Sequence, residues 1–392
     1  MVDLDALGAN YRAIARTLPD GCAPMPVVKA DAYGHGAAVC ARRLVEEGAP
    51  ALAVAVVEEA AELRRAGIDG EILVMGYLGS DQFPELLRHR LVANVHSLSL
   101  LRDLAAFAHG RGVRLPVHLK LDTGMTRLGI PPAALSEAAD ALLAANDALD
   151  VAGVFQNFAS ADDEDSPQTV SQVRTFSAML ASLRARGIAP PLLHAANSAA
   201  TLAPPSWPDD LPRPARVRPG LALYTRFPGL PMREEIRDVM AFVSVVEQVK
   251  RVAPGTRVGY GGAWVAERDA VIAIVPAGYA DGVPRAFSNG GAVLVAGVRC
   301  PIAGRISMDL TAVDVTNLDA PPRRGTEVVF FGTRGGNRLG VEEMARAAGT
   351  VSWEILCGVG PRVPRVIVEN GMPCRVISRF LPGGDATCDE AP

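Results

Sequence analysis

The chain has 392 residues, of which 49% are hydrophobic and 21% charged, enough apolar material for two large domains and too much for a disordered protein. Its net charge of -4 gives no sign of nucleic acid or an anionic membrane as a partner, both of which reward clustered Lys and Arg. Six cysteines without a CxxC pair and six histidines without clustered spacing argue against a disulfide frame and a zinc site, so no metal is expected. An N-terminus carrying Asp3 and Asp5, with no apolar run of about 20 residues anywhere, predicts a cytoplasmic protein that neither crosses nor binds a membrane.

Up to residue 230 short apolar runs alternate with amphipathic stretches. The predicted strands are MPVVKA (25–30), ALAVAVV (51–57), EILVMGYL (71–78), LVANVH (91–96), LPVHLKLD (115–122), DVAGVFQNF (150–158), PLLHAA (191–196) and RVRPGLALY (216–224). Eight strands alternating with helices predict an α/β fold, a (β/α)8 TIM-type barrel over 1–230. A doubly wound sheet is the competing layout, but no GxGxxG follows the first strand. From 231 to 380 the Val-rich, Gly- and Pro-punctuated segments predict a mainly antiparallel β domain with one helix near VEEMARAA. Residues 381–392 read as a loose tail.

Chemistry in such a barrel gathers where strands end, so polar residues there are informative. The first strand runs into Lys29 and Tyr33, and the fifth carries Lys120 and leads to Arg127. The sixth ends at Gln156 and Asn157, the seventh at His194 and Ser198, and the eighth holds Arg218 and Gly220. A lysine leaving a buried strand is a Schiff-base candidate, because desolvation frees its amine. Ser198 and Gly220 beside loop amides suit a phosphate. Each also has a bland reading. Lys29 alone reads as a solvated rim residue, Lys120 as a partner of Asp122, His194 as a satisfied core histidine, and Tyr260 and Tyr279 as turn aromatics.

Taken in order, the segments VDLDAL (2–7), VVKADAYGHG (27–36), KLDTGMTRLG (120–129), FASAD (158–162), HAANSAA (194–200), VRPGLALY (217–224), GYGG (259–262), PAGYADG (276–282), GRISMD (304–309) and PRVPRV (361–366) closely resemble the alanine racemase family. The resemblance implies a pyridoxal-phosphate-dependent racemase that interconverts L- and D-alanine with two bases. Lys29 would hold the cofactor and serve the D face. Tyr260, from the β domain of a partner subunit, would serve the L face, which makes the active unit a homodimer. Tyr33, Ser198, Gly220 and the Leu221 amide would hold the phosphate, and Arg218 would face the pyridine nitrogen. Arg127 and the partner's Met308 amide would contact the substrate carboxylate. Lys120 matches a lysine often carbamylated in the family, and His194 would stand behind Arg218. Racemisation needs proton-transfer groups on both faces of the substrate, which fits a lysine and tyrosine pair.

Three positions depart from the family pattern. Asn157 stands where a histidine normally precedes FA-x-AD, and an amide relays no proton. Pro361 replaces a tyrosine before RVPR. Met1 leaves no room for the short leading strand ahead of VDLDAL. These departures keep two alternatives open: a broad-spectrum or non-alanine racemase, and a degenerate homologue that binds cofactor without catalysis. A bare barrel that only binds cofactor would lack the half carrying Tyr260, Met308 and Asp309.

Overall fold

The computed structural model describes residues 1–163, 165–208, 213–226, 230, 234–380 and 385–387. They fall into two compact units: Leu7–Ala32 with Ala37–Arg237, and Met1–Ala6 with Tyr33–Gly36 and the chain from Asp238 onward. The expected boundary at 230/231 borders residues 231–233, which lie outside the described residues.

After a first short strand β1 (Val2–Asp3), which belongs to the other unit, the first unit contributes eight parallel strands. They are β2 (Ala23–Pro24), β3 (Ala51–Val54), β4 (Glu71–Val74), β5 (Val92–Val95), β6 (Leu115–Lys120), β7 (Leu149–Phe155), β8 (Leu192–His194) and β9 (Arg216–Val217). Their order is β2-β9-β8-β7-β6-β5-β4-β3. A bridge between Val27 and Ala53 joins the two ends, with the Val28 amide donating to the Ala53 carbonyl at 2.9 Å, so the sheet closes into the expected barrel. All four residues of β3 and of β5 are buried; β3 therefore reads as a continuous apolar run, and in β5 the one polar residue, Asn94, donates to the Met75 carbonyl. The intervening helices bury one face each. In Leu98–Arg111 that face is Leu100, Leu101, Leu104 and Ala108; Ser97 caps the helix by accepting from the Leu100 amide, and Gly112 ends it at φ 63.

Two predicted strands are corrected. Pairing in the first run occurs at Ala23–Pro24 and at Val27, because Pro24 and Pro26 have no N–H to extend a ladder; Lys29 already opens the turn Lys29–Gly34. In RVRPGLALY only Arg216–Val217 is strand. Pro219 and Gly220 break it, and Leu221–Tyr224 is a helical turn.

The second unit is mainly antiparallel β. One sheet runs β1, Arg365–Glu369, Met372–Ile377, Asp385–Thr387; a second runs Phe242–Val245, Glu327–Arg334, Ala292–Val295, Val298–Pro301, with Asn337–Leu339 on its long strand. Gln248–Val252, Ala270–Val275 and Thr311–Asp314 form a third, and Arg257–Val258 with Trp264–Val265 a hairpin. VDLDAL itself opens on the short strand β1, where Val2 and Asp3 pair in parallel with Ile367 and Val368. Of the expected loose tail, Asp385–Thr387 form an edge strand and the remaining positions lie outside the described residues. The predicted helix is Val341–Ala348, and an unpredicted one, Ser352–Gly358, follows it.

Candidate active site

Lys29 leaves the barrel's first strand at a strained turn. Ala30, Asp31, Ala32 and Tyr33 have φ values of 53, 54, 53 and 55°, four consecutive non-glycine residues in the left-handed region. Each costs roughly 1–2 kcal/mol. The surrounding chain holds the turn in place. Glu59 accepts from the Ala30 amide at 2.6 Å and from the Ala55 amide at 2.7 Å, and Asp31 accepts from the Ala37 amide at 2.6 Å. Tyr224 donates its hydroxyl to the Val27 carbonyl at 3.1 Å, steadying the strand two residues before Lys29. Strain kept by such over-determination is characteristic of functional sites.

Across the barrel mouth, strand register sets Lys120 beside Phe155 and Phe155 beside His194. The Lys120 ammonium and the Arg218 guanidinium lie 5.4 and 5.1 Å from the Phe155 ring centroid, and Phe155 stacks on His194 at 4.6 Å. Arg218, 4% exposed, donates to the carbonyls of Gln156 at 2.6 Å and Ala195 at 3.3 Å, and to His194 Nδ1 at 2.8 Å. That last bond fixes a chain of tautomers. With Nδ1 accepting, His194 carries its proton on Nε2 and donates to His118 Nδ1 at 2.9 Å. His118 Nε2 then carries a buried proton that finds no partner among the described residues. Both imidazoles are held neutral: burial, Arg216 and Arg218 push His118 down to about 3, and burial followed by Arg218 drives His194 well below its ordinary value. Gly153 makes room for this pair, since a Cβ there would lie 2.8 Å from the His118 ring.

The same cluster is rich in positive charge. Burial, then Arg218 and Arg127, lower Lys120 to about 8, with Lys29 adding and Asp122 partly offsetting. Burial and Arg127 push Arg218 down to about 9, which still leaves it protonated at neutral pH. Arg127 sits exposed on a loop folded back on β6, where the Ile130 amide donates to the Lys120 carbonyl at 2.8 Å and Asp122 accepts from the amides of Gly124 and Thr126. Nearby, Ser198 Oγ accepts from the Gly220 amide at 2.9 Å and the Ala222 amide at 3.3 Å, bringing together the starts of the turns Ser198–Leu202 and Leu221–Tyr224. Asn157 donates to the Phe158 carbonyl and to Met125 Sδ, and its Oδ1 lies 3.4 Å from Arg218 Nη2.

In the other unit, Tyr260 stands at the tip of the hairpin, 72% exposed, where Gly259 and Gly261 take φ values of 71 and 68°. Met308 is 52% exposed on a loop whose Ser307 and Met308 carbonyls accept from the amides of Tyr279 and Ala280. Gly278 lies against these carbonyls so closely that a Cβ would meet both at 2.3 Å. Arg362 joins Asp281 to Asp309, and Pro361 is exposed beside it. Tyr33 belongs to this unit too; burial, with Cys357 adding, pushes its hydroxyl pKa up, so it stays a protonated donor.

Sequence reading missed His118, Gly153 and Phe155. Their signal was the strand alternation that places His118 two residues before Lys120 on the same face.

A closed (β/α)8 barrel with a lysine leaving its first strand and buried arginine at its mouth, continued by an antiparallel β unit presenting a tyrosine, defines a narrow class of two-unit proteins. The alanine racemase N-terminal domain matches residues 2–228 and the alanine racemase C-terminal domain residues 239–367. The chain belongs to the alanine racemase family. It is 40% identical to an alanine racemase of Desulforamulus reducens and 42% identical to one of Sorangium cellulosum, each alignment covering 94% of this chain and 98% of the relative. Among solved structures it resembles the alanine racemase of D-cycloserine-producing Streptomyces lavendulae at a TM-score of 0.88 and 38% identity, over 94% of this chain and 96% of that one. It also resembles the Bacillus anthracis alanine racemase with bound L-Ala-P at 0.87 and 32%, over 96% of both.

Proposed function

We propose that this enzyme is an isomerase that interconverts L- and D-alanine using pyridoxal 5'-phosphate, with Lys29 and Tyr260 as its two bases. The observation that carries the reading is the excess of positive charge at the barrel mouth: Lys120 and Arg218 are buried, Arg127 repels both, and Lys29 adds to the repulsion on Lys120. Buried cations in this number call for an anionic ligand. The donor set fits this cofactor. The Ser198 turn and the Leu221 amide suit its phosphate, with Gly220 and Tyr33 assigned to the same group by family resemblance, and Arg127 suits an anionic oxygen and the substrate carboxylate. Arg218, held by His194 and two carbonyls, suits the ring nitrogen as a donor that keeps its proton. Bound there, the cofactor supplies the electron sink that lets the substrate α-proton leave.

Lys29 takes or gives that proton on one face, and Tyr260 of the partner subunit does so on the other, with the partner's Met308 amide completing the carboxylate contact. The reading therefore includes a homodimer with shared sites. Among the described residues no helix is long and apolar enough to cross a membrane, and a cytoplasmic place of action is part of the same proposal.

The test is α-proton exchange in D2O by protein supplied with pyridoxal phosphate, given L-alanine and then a panel of other L-amino acids, with chirality read at the end. Exchange fastest with alanine and a product approaching equal L and D supports the reading. Faster exchange with a longer side chain makes the enzyme a racemase of altered specificity. Cofactor binding without exchange overturns the assignment of Tyr260 as a base. Racemisation by a form that stays monomeric under assay overturns the shared site.

A further inference from the structure

We infer that Arg365 is a positioning residue for the cofactor's phosphate, acting through Tyr33; this rests on the proposed reading of Tyr33 as a phosphate donor. Arg365 is 8% exposed, and its guanidinium is spread over main-chain carbonyls. Nε donates to Gly34 at 3.0 Å, Nη1 to Gly360 and Val363 at 2.6 Å each, and Nη2 to Val359 at 2.7 Å. One planar fork thus pins the residue that follows Tyr33 to the turn that follows the helix Ser352–Gly358.

Three further observations make the pinning specific. Tyr33 lies in the left-handed run, so its backbone does not hold this shape by preference. Gly34, at φ 83°, lies so close to the helix that a Cβ would come within 2.4 Å of the Leu356 carbonyl. Tyr33–Gly36 also belong to the β unit although the chain on either side belongs to the barrel. A four-residue excursion with an unfavourable backbone needs an anchor at its middle, and Arg365 supplies it. The side chain that gains from a fixed backbone at Gly34 is its neighbour Tyr33, kept protonated and able to donate.

The test is a double-mutant cycle on cofactor affinity, using the full chain stripped of cofactor and titrated with pyridoxal phosphate or with pyridoxal, which lacks the phosphate. Absorbance of the lysine-bound cofactor gives the half-saturation concentration. Arg365→Lys and Tyr33→Phe should each weaken pyridoxal phosphate by about tenfold to a hundredfold, the double variant should be no worse than the weaker single, and pyridoxal should be unmoved by either. Effects that multiply, or an Arg365→Lys loss equal for both ligands, overturn the inference and leave the Tyr33 assignment standing. A Tyr33→Phe variant with unchanged affinity overturns that assignment and the inference with it. Should Arg365→Lys fail to fold, Gly34→Ala displaces the same turn from the other side and is read in the same cycle.

Discussion

Lys120 offers the sharpest physical test. Burial beside Arg218, Arg127 and Lys29 lowers it to about 8 from an ordinary 10.5. At pH 7.5 roughly a quarter of the amine is neutral, against roughly a thousandth for an unperturbed lysine. Only the neutral amine attacks CO2, so the site is made for the carbamate that family resemblance implies. The ammonium first loses one proton; the neutral amine then forms an N–C bond as one C–O π pair moves onto oxygen, and loses a second proton, so that a carbamate anion facing three other cations replaces the original cation. The thermodynamic sign is fixed. Between pH 8 and 10.5 the unfolded chain binds more protons than the folded one, so stability rises with pH through that window, and below pH 8 the folded protein carries the full penalty of about 3 kcal/mol. Carbamylation removes that penalty at neutral pH. Bicarbonate should therefore raise the melting temperature of the native protein at pH 7.5 and leave Lys120→Met unchanged, and 13C-bicarbonate should give one carbamate resonance per chain that Lys120→Met lacks. A melting temperature indifferent to bicarbonate, with no labelled resonance, would refute the reasoning.

Gly153→Ala places a methyl within 2.9 Å of three His118 ring atoms, and should destabilise the chain by about 1–3 kcal/mol in denaturant unfolding; a neutral outcome contradicts the close packing. Arg338 holds Asp238 and Glu342, whose side chains are 6% and 9% exposed, so Arg338→Ala should cost about 3–5 kcal/mol. Burial alone would raise Glu342, but the Arg338 hydrogen bonds and charge prevail and hold it below the usual carboxylate range. The pair's contribution is therefore complete above that ordinary range and lost as pH falls through the depressed value. In Arg338→Ala, Glu342 stays buried without its cation, and acidification should stabilise the variant; a parallel pH profile in both proteins contradicts this assignment. Asn157→His gives the Arg218 neighbour a ring that can carry a proton, and should raise kcat by about tenfold with little change in KM. An unchanged kcat shows that the amide interrupts nothing.

The barrel was legible because parallel strands are buried on both faces and read as apolar runs, unbroken in β3. The first and eighth strands were the least legible, since Pro24, Pro26 and Pro219 shift where pairing can occur without altering hydrophobicity. The left-handed turn at Ala30–Tyr33 carries no glycine to announce it, and only its tertiary clamps, Glu59 above all, make it visible. The short strand β1 is two residues long and defined by a partner more than 360 positions away. The candidate site showed a similar division. Motifs pointed to Lys29, Arg218 and Tyr260, whereas His118 and Arg365 matter through whom they touch, and those contacts exist only once the chain has folded.

The chemistry around Arg218 explains why its partners are carbonyls and a neutral imidazole. A buried guanidinium is most simply satisfied by a carboxylate, which would cancel its charge and compete with an anionic ligand. Here the Gln156 and Ala195 carbonyls and His194 Nδ1 supply acceptors without supplying charge. The arrangement has a cost that can be followed to its end. His194, fixed as an acceptor at Nδ1, must donate at Nε2, His118 must accept, and the surplus proton finishes on His118 Nε2, buried and without a partner among the described residues, at about 1–3 kcal/mol. Gly153 leaves the space that the His118 ring fills, and Phe155 stacks on His194. A stretch of barrel interior less stable than it could be is thus the physical counterpart of a mouth that keeps its positive charge for a ligand.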